Sequence, residues 1–243
     1  MTMTTNSFAF FDLDHTLLPV DSSGLWAYFL ISKCQGHEQE FERCQKQFDL
    51  DYFEGVLDIN KFMDFEMHLL SLFPRKQLEQ YRKEFIERYI QPNITPNAVE
   101  LVQKHQDAGD KVVIVTATYR FVVEPIAELF EADGLIAAQP EEDANGEFTG
   151  GWIWHTFAQG KVDAVQKYVA DKGGMDTLKR SSFYSDSIND LPLLSFIAEH
   201  GGTPVAANPD KFLSRIAKQR GWQTLNLFRI EEPSYMEVVE KTP

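Results

Sequence analysis

The chain has 243 residues, a formal net charge of −14 at pH 7 and 43% hydrophobic residues. That length suits one or two domains with a real core, while the acid excess excludes binding through a nucleic-acid backbone, which needs clustered Lys and Arg. No apolar run approaches the ~20 residues that span a bilayer, so no membrane role is expected, and the surplus carboxylates suit a hard cation.

The first residues, Met-Thr-Met-Thr-Thr-Asn-Ser, lack the basic and apolar regions of a signal peptide. Cys34 and Cys44 have no metal-ligand spacing and read as free thiols in a reducing compartment, so a cytoplasmic location is expected. Phe8 to Phe11 reads as a strand buried on both faces, as in a parallel sheet. It runs into Asp12 and Asp14, and side chains two residues apart on an extended chain can serve one region. Thr16 adds a hydroxyl donor, and ligands of open α/β sheets bind beyond the carboxyl ends of the strands.

From Pro19 to Ile90 the apolar spacing is helical. Leu25 to Ile31 predicts a buried helix, and three more faces follow: Phe41, Cys44 and Phe48; Ile59, Phe62, Phe65, Leu69 and Leu72; Leu78, Tyr81, Phe85 and Tyr89. Together they predict a small helical bundle with an aromatic interior. Gln91 to Pro96 is a proline-punctuated return, with Thr95 as helix cap and Pro96 at the first helical position. A helix then runs to about Gly109, a strand spans Lys111 to Val115, and Thr116-Ala-Thr118 leads into a helix through Phe130. Thr116 offers a hydroxyl and a helix N-terminus, either of which can bind phosphate or simply cap the helix.

Gly134 to Ala138 predicts a short strand, and Phe148 to Trp154 a hairpin arm after Asn145-Gly146. Lys161 opens a helix from Gly160 to Val169. The strand Ser182–Tyr184 leads into Asp186, Asn189 and Asp190 and a helix through Ile197. Pro204 to Ala207 predicts another strand, Lys211 to Arg220 a helix, and Trp222 to Leu225 a last strand before a polar tail. Strands alternating with helices predict an α/β fold: a Rossmann-like parallel sheet core from residues 1–20 and 91–243, with an inserted helical-bundle cap over residues 21–90.

In this order, Asp12-x-Asp14-x-Thr16, Thr116, Lys161 and Asp186-x-x-x-Asp190 resemble the four motifs of the haloacid dehalogenase superfamily of phosphohydrolases. The insertion after motif one, Ala158-Gln-Gly-Lys161 and Ser185 to Asp190 are similar to its phosphoserine phosphatase branch. Two departures stand out: Thr116 where that branch often has serine, and Ser185 where glycine is common. The resemblance implies that Asp12 attacks phosphorus and Asp14 is the general acid and base. It also implies Mg²⁺ held by Asp12, the Asp14 main-chain carbonyl and Asp186, with Asp190 supporting, and Lys161 and Thr116 on the phosphoryl oxygens.

The same branch binds a substrate amine through a glutamate and a carboxylate through a cap arginine. By ungapped count these positions hold Asp21 and Asp64. An acid in place of the guanidinium implies a small phosphorylated metabolite with positive charge and no carboxylate, histidinol phosphate before phosphoserine. The competing reading puts Asp64 on a solvated face opposite Phe62 and Leu69, with Glu66 or His68 setting specificity. Two other activities stay open, phosphotransfer to another alcohol and a receiver-like phospho-aspartate signalling module.

Overall fold

The computed structural model describes residues 7–228; the first six residues and the polar tail beyond residue 228 lie outside the described residues. A seven-stranded sheet forms its centre, in the order β4-β3-β2-β1-β5-β6-β7. The strands are β1 (Phe8–Phe11), β2 (Lys111–Tyr119), β3 (Gly134–Glu142), β4 (Phe148–Trp154), β5 (Ser182–Ser185), β6 (Thr203–Ala207) and β7 (Gln223–Leu225). All neighbours pair in parallel except β3 with β4, which form an antiparallel hairpin.

β1 lies between β2 and β5, so both its edges are paired, and an apolar cluster covers each of its faces, which is why four consecutive apolar residues suit it. Phe8 and Phe10 enter one apolar cluster and Ala9 and Phe11 the other, the alternation that an extended chain imposes. Residues of α7 (Gln159–Ala170), α8 (Leu191–Glu199) and α9 (Lys211–Arg220) fill the first cluster. The second holds α5 (Pro96–Asp107) and α6 (Arg120–Leu129), and runs on into the inserted helices.

The insertion comprises α1 (Ser22–Ile31), α2 (Glu38–Glu54), α3 (Ile59–Ser71) and α4 (Arg75–Phe85), the last continuing into a π-helical turn over Ile86–Ile90. Local chemistry sets their ends. Asp21 caps α1, Asp58 caps α3, and Gly55 ends α2 at φ 74°, where a Cβ is disfavoured. α3 is a two-sided helix: Phe62 and Phe65 meet Phe48 of α2 at ring distances of 5.6 and 5.5 Å, while Met63, Met67 and Leu70 are buried. Trp26 bridges Phe85 of α4 and Phe121 of α6, and the Arg82 guanidinium lies over Phe121. Arg75 ties the start of α4 to Glu142 of the hairpin at 2.9 Å.

Three expectations change. β2 continues past Val115 to Tyr119 through an irregular register against β3, and β3 itself runs to Glu142, where it forms a hairpin with β4, the strand that packs against α3. Thr116 therefore lies within a strand; Tyr119 is the cap of α6, and it makes no side-chain capping bond. On α2, Cys44 is exposed and the buried residue is its polar neighbour Gln45. Cys34, at the end of α1, is buried; both thiols are free. Among the described residues no helix is long and apolar enough to cross a membrane.

Candidate active site

The candidate site lies beyond the carboxyl ends of β1, β2 and β5, under the inserted helices. β1 delivers Asp12, whose backbone N–H donates to the Tyr184 carbonyl at 2.9 Å and so continues the β5 pairing. His15 then takes φ 56°, a left-handed turn uncommon outside glycine. This turn lets the N–H groups of Thr16, Leu17 and Leu18 converge on the Leu13 carbonyl. Asn208, buried after β6, locks the loop by donating to the carbonyls of His15 and Thr16 at 2.9 and 3.1 Å. Strain of this kind persists where surrounding structure fixes it, and here it sits immediately after Asp12 and Asp14.

Lys161, from the first turn of α7, is buried and donates to Asp12 Oδ1 at 2.7 Å and to Asp190 Oδ2 at 2.6 Å. Burial alone would lower its pKa, but the Asp12 and Asp190 charges outweigh it and hold the ammonium well above its ordinary range. Ser185 Oγ adds a second donor to Asp190 Oδ2 at 2.8 Å, a contact that glycine could not make. Burial raises Asp190 to about 6 against the lowering pull of Lys161. Thr16 connects the remaining pieces. Its hydroxyl accepts from the Asp186 N–H at 3.0 Å and lies 3.1 Å from Asp186 Oδ1 and 3.3 Å from Asp12 Oδ2.

Asp14 occupies a different environment. It accepts from the Ser22 N–H at 2.7 Å and the Thr118 hydroxyl at 2.9 Å. Burial, then the charges of Asp21 and Asp12, raise its pKa to about 7 despite the Ser22 bond. Two carboxylates on one strand end are thus separated in character: Asp12 sits under an ammonium, whereas Asp14 holds a proton near neutral pH. Such a divergence is how one site supplies both a nucleophile and an acid.

A hard cation fits this donor set. Asp12, Asp186 and Asp190 converge, with Lys161 the sole Lys or Arg among the described residues lining the cavity, and burial with the Asp12 and Asp190 charges pushes the Asp186 carboxyl well above its ordinary pKa. Among the described residues no three His, Cys, Asp or Glu side chains form a ready-made cage. Mg²⁺ needs none, because it commonly takes one or two carboxylates and fills its octahedron with carbonyl, water and phosphate oxygens.

The cavity above these groups is walled by Asp12, Asp14, Thr116, Lys161, Asp186 and Asp190 on the sheet side. On the cap side Asp21, Gln45, Phe48, Asp49 and Tyr52 close it. Thr116, also buried, accepts from the Thr118 N–H at 3.1 Å. The structure therefore brings together seven of the eight residues singled out from sequence. Asp64 is not among them: it is exposed on α3, does not line the cavity, and accepts from Trp152 Nε1 at 2.9 Å. The cause is helical phase. Met63 and Met67 take the buried face, leaving Asp64 turned toward the hairpin. His68 is exposed as well, whereas Glu66 is buried.

Sequence reasoning missed Thr118, Asn208, Gln45 and Asp49. Only the first carried a signal, standing two residues beyond Thr116; the others reach the site through tertiary packing.

A model of the haloacid dehalogenase-like hydrolase family matches residues 9–195. A histidinol-phosphatase of Neisseria meningitidis serogroup C (strain 8013) is 37% identical over 220 residues, covering 90% of this chain and 97% of the relative. The phosphoserine phosphatase SerB1 of Mycobacterium tuberculosis (strain ATCC 25618 / H37Rv) is 34% identical over 91% of this chain and 71% of its own length. Among solved structures, a protein of unknown function from Bordetella pertussis Tohama I superposes with a TM-score of 0.85, at 39% identity, over 93% of this chain and 100% of that one.

Proposed function

The chain belongs to the haloacid dehalogenase-like hydrolase family and is a phosphoric monoester hydrolase, and we propose that it hydrolyses a small cationic phosphate monoester, histidinol phosphate foremost, through a phospho-aspartate on Asp12. The observation that carries the chemistry is the contrast between Asp12, held by Lys161 at 2.7 Å, and Asp14, whose pKa is raised to about 7. A phosphate monoester dianion repels an anionic nucleophile, so attack needs positive charge on the phosphoryl oxygens. Mg²⁺ on Asp12, the Asp14 carbonyl and Asp186, with Asp190 in support, would supply that charge.

In this reading an Asp12 oxygen attacks phosphorus while Lys161 and Thr116 hold the equatorial oxygens. Asp14, in its acid form, gives its proton to the departing alkoxide. The carboxylate so formed takes a proton from the water that cleaves the acyl phosphate, restoring both residues. Thr118 and the Ser22 N–H aim Asp14 without consuming its proton, since both donate to it.

The choice of substrate rests on the cavity's acidic cap side and on the histidinol-phosphatase relative. The ungapped position of Asp64 no longer contributes. Phosphoserine remains the second candidate, because a relative of nearly equal identity is named for it. The test is phosphate release from a panel of phosphorylated metabolites with Mg²⁺, with acceptor alcohols added to reveal phosphotransfer. Histidinol phosphate should exceed phosphoserine in kcat/KM by at least about tenfold, each decade corresponding to ~1.4 kcal/mol. A preference for phosphoserine would reverse the substrate assignment. Activity should vanish with chelator and return with Mg²⁺, and full turnover by metal-stripped enzyme would contradict the metal's part.

A further inference from the structure

The cap side of the cavity leaves one buried hydrogen-bond acceptor open. Gln45 is 1% exposed and lines the cavity, yet its Oε1 has no hydrogen-bond partner. The orientation of its amide is fixed, because Nε2 donates to Asp49 Oδ1 at 2.8 Å and a flipped amide would set oxygen against oxygen. Asp49 is itself held from behind by the Tyr28 hydroxyl at 2.6 Å. Behind the wall Glu66 is 1% exposed, and burial, then Asp21 and Asp49, push its carboxyl well above the ordinary range. Buried polar groups without partners are rare in native proteins and call for an explanation.

Charge points the same way. Among the described residues lining the cavity, Lys161 is the sole Lys or Arg, and Asp12 and Asp190 already hold it. A substrate carboxylate at the cap end would meet acids and no guanidinium. Asp21 acts directly on Asp14, so it stands nearest the reacting end, whereas Gln45 and Asp49 come from α2.

We propose that Gln45 and Asp49 form a receptor for a nitrogen heterocycle, an imidazole or imidazolium whose ring N–H fills the open Gln45 Oε1 beside the Asp49 carboxylate. Asp21 then takes an ammonium closer to the phosphate. Phe48 and Tyr52, which also line the cavity, supply flat apolar faces for the ring. The inference rests on the cationic-monoester reading, and it adds which residues distinguish a ring-bearing substrate from a plain amino alcohol phosphate.

The experiment is binding, so it does not depend on turnover. L-Histidinol, and alaninol as the ring-free amino alcohol, are titrated into the full chain with Mg²⁺ by ligand-observed NMR. Wild type should bind L-histidinol at least tenfold more tightly than alaninol, and Asp49→Asn and Gln45→Leu should each bring that ratio to within threefold of unity. Gln45→Leu removes the acceptor while Tyr28 still holds Asp49, so the test stays decisive where Asp49→Asn fails to fold. Equal binding of the two ligands by wild type, or an undiminished ratio in Gln45→Leu, would overturn the receptor. Phosphate release from histidinol phosphate is scored separately, so failure of the substrate reading and failure of this subsite remain distinguishable.

Discussion

The two walls of the cavity are built on opposite principles. On the sheet side nearly every charged or hydroxyl group meets another from a distant part of the chain: Lys161 with Asp12 and Asp190, Thr16 with Asp186, Thr118 with Asp14. On the cap side Gln45 Oε1 has no partner, and the acids Asp21 and Asp49 line the cavity with no Lys or Arg from the cap among the described lining residues. A self-satisfied wall is preorganised for a group that never changes, the phosphoryl. A wall short of donors is completed by what the substrate brings. In the proposed function the sheet side sets the reaction, and the cap side selects who undergoes it.

The largest expected effect comes from the sheet side. Asp12→Asn keeps the shape but removes the attacking charge, and turnover of every phosphate monoester should fall by at least about 10³-fold, as losses of catalytic nucleophiles do. Circular dichroism should show an intact fold. Retention of more than a few per cent of the rate on any substrate would break the assignment of chemistry to this wall.

A smaller effect links the two walls. In the proposed mechanism Asp14 assists the leaving group in its protonated form, so kcat/KM should be high below its pKa, about 7 in the free protein, and fall above it. The Asp21 charge is one of the causes that raise this pKa. Asp21→Asn removes it, so the alkaline limb should move to lower pH. A limb that stays in place would mean that Asp14 is not the acid, or that Asp21 does not act on it.

The smallest effect marks where the cap stops mattering. Asp64 is exposed and bonded to Trp152 of the hairpin. Asp64→Ala should change stability by less than ~1 kcal/mol and leave the histidinol phosphate to phosphoserine ratio within about twofold, as surface substitutions usually do. A larger change in that ratio would return Asp64 to the selecting wall.

What sequence conveyed follows the same division. The sheet-side residues stand at strand ends and helix starts, where position along the chain dictates position in space, so Asp12, Asp14, Lys161, Asp186 and Asp190 were legible. Thr116 was legible as a site residue but not as a strand residue, because the extension of β2 depends on its hairpin neighbour β3. Cap residues lie on helices, where a shift of one position turns a side chain by 100°. Counting to Asp64 fixed a distance along the chain but not a phase. Apolar periodicity likewise passed over Gln45, since a polar residue occupies the buried position on α2.

The division of labour can be tested in one measurement: acid-quenched enzyme, mixed separately with histidinol phosphate and with phosphoserine, and mapped for phosphorylated peptides by mass spectrometry over time. Phosphate should appear on Asp12 with both compounds, and at subsaturating concentration the labelling should be at least about tenfold faster with histidinol phosphate, a difference of ~1.4 kcal/mol or more. Phosphate on any other residue, or equal labelling rates from the two compounds, would contradict it.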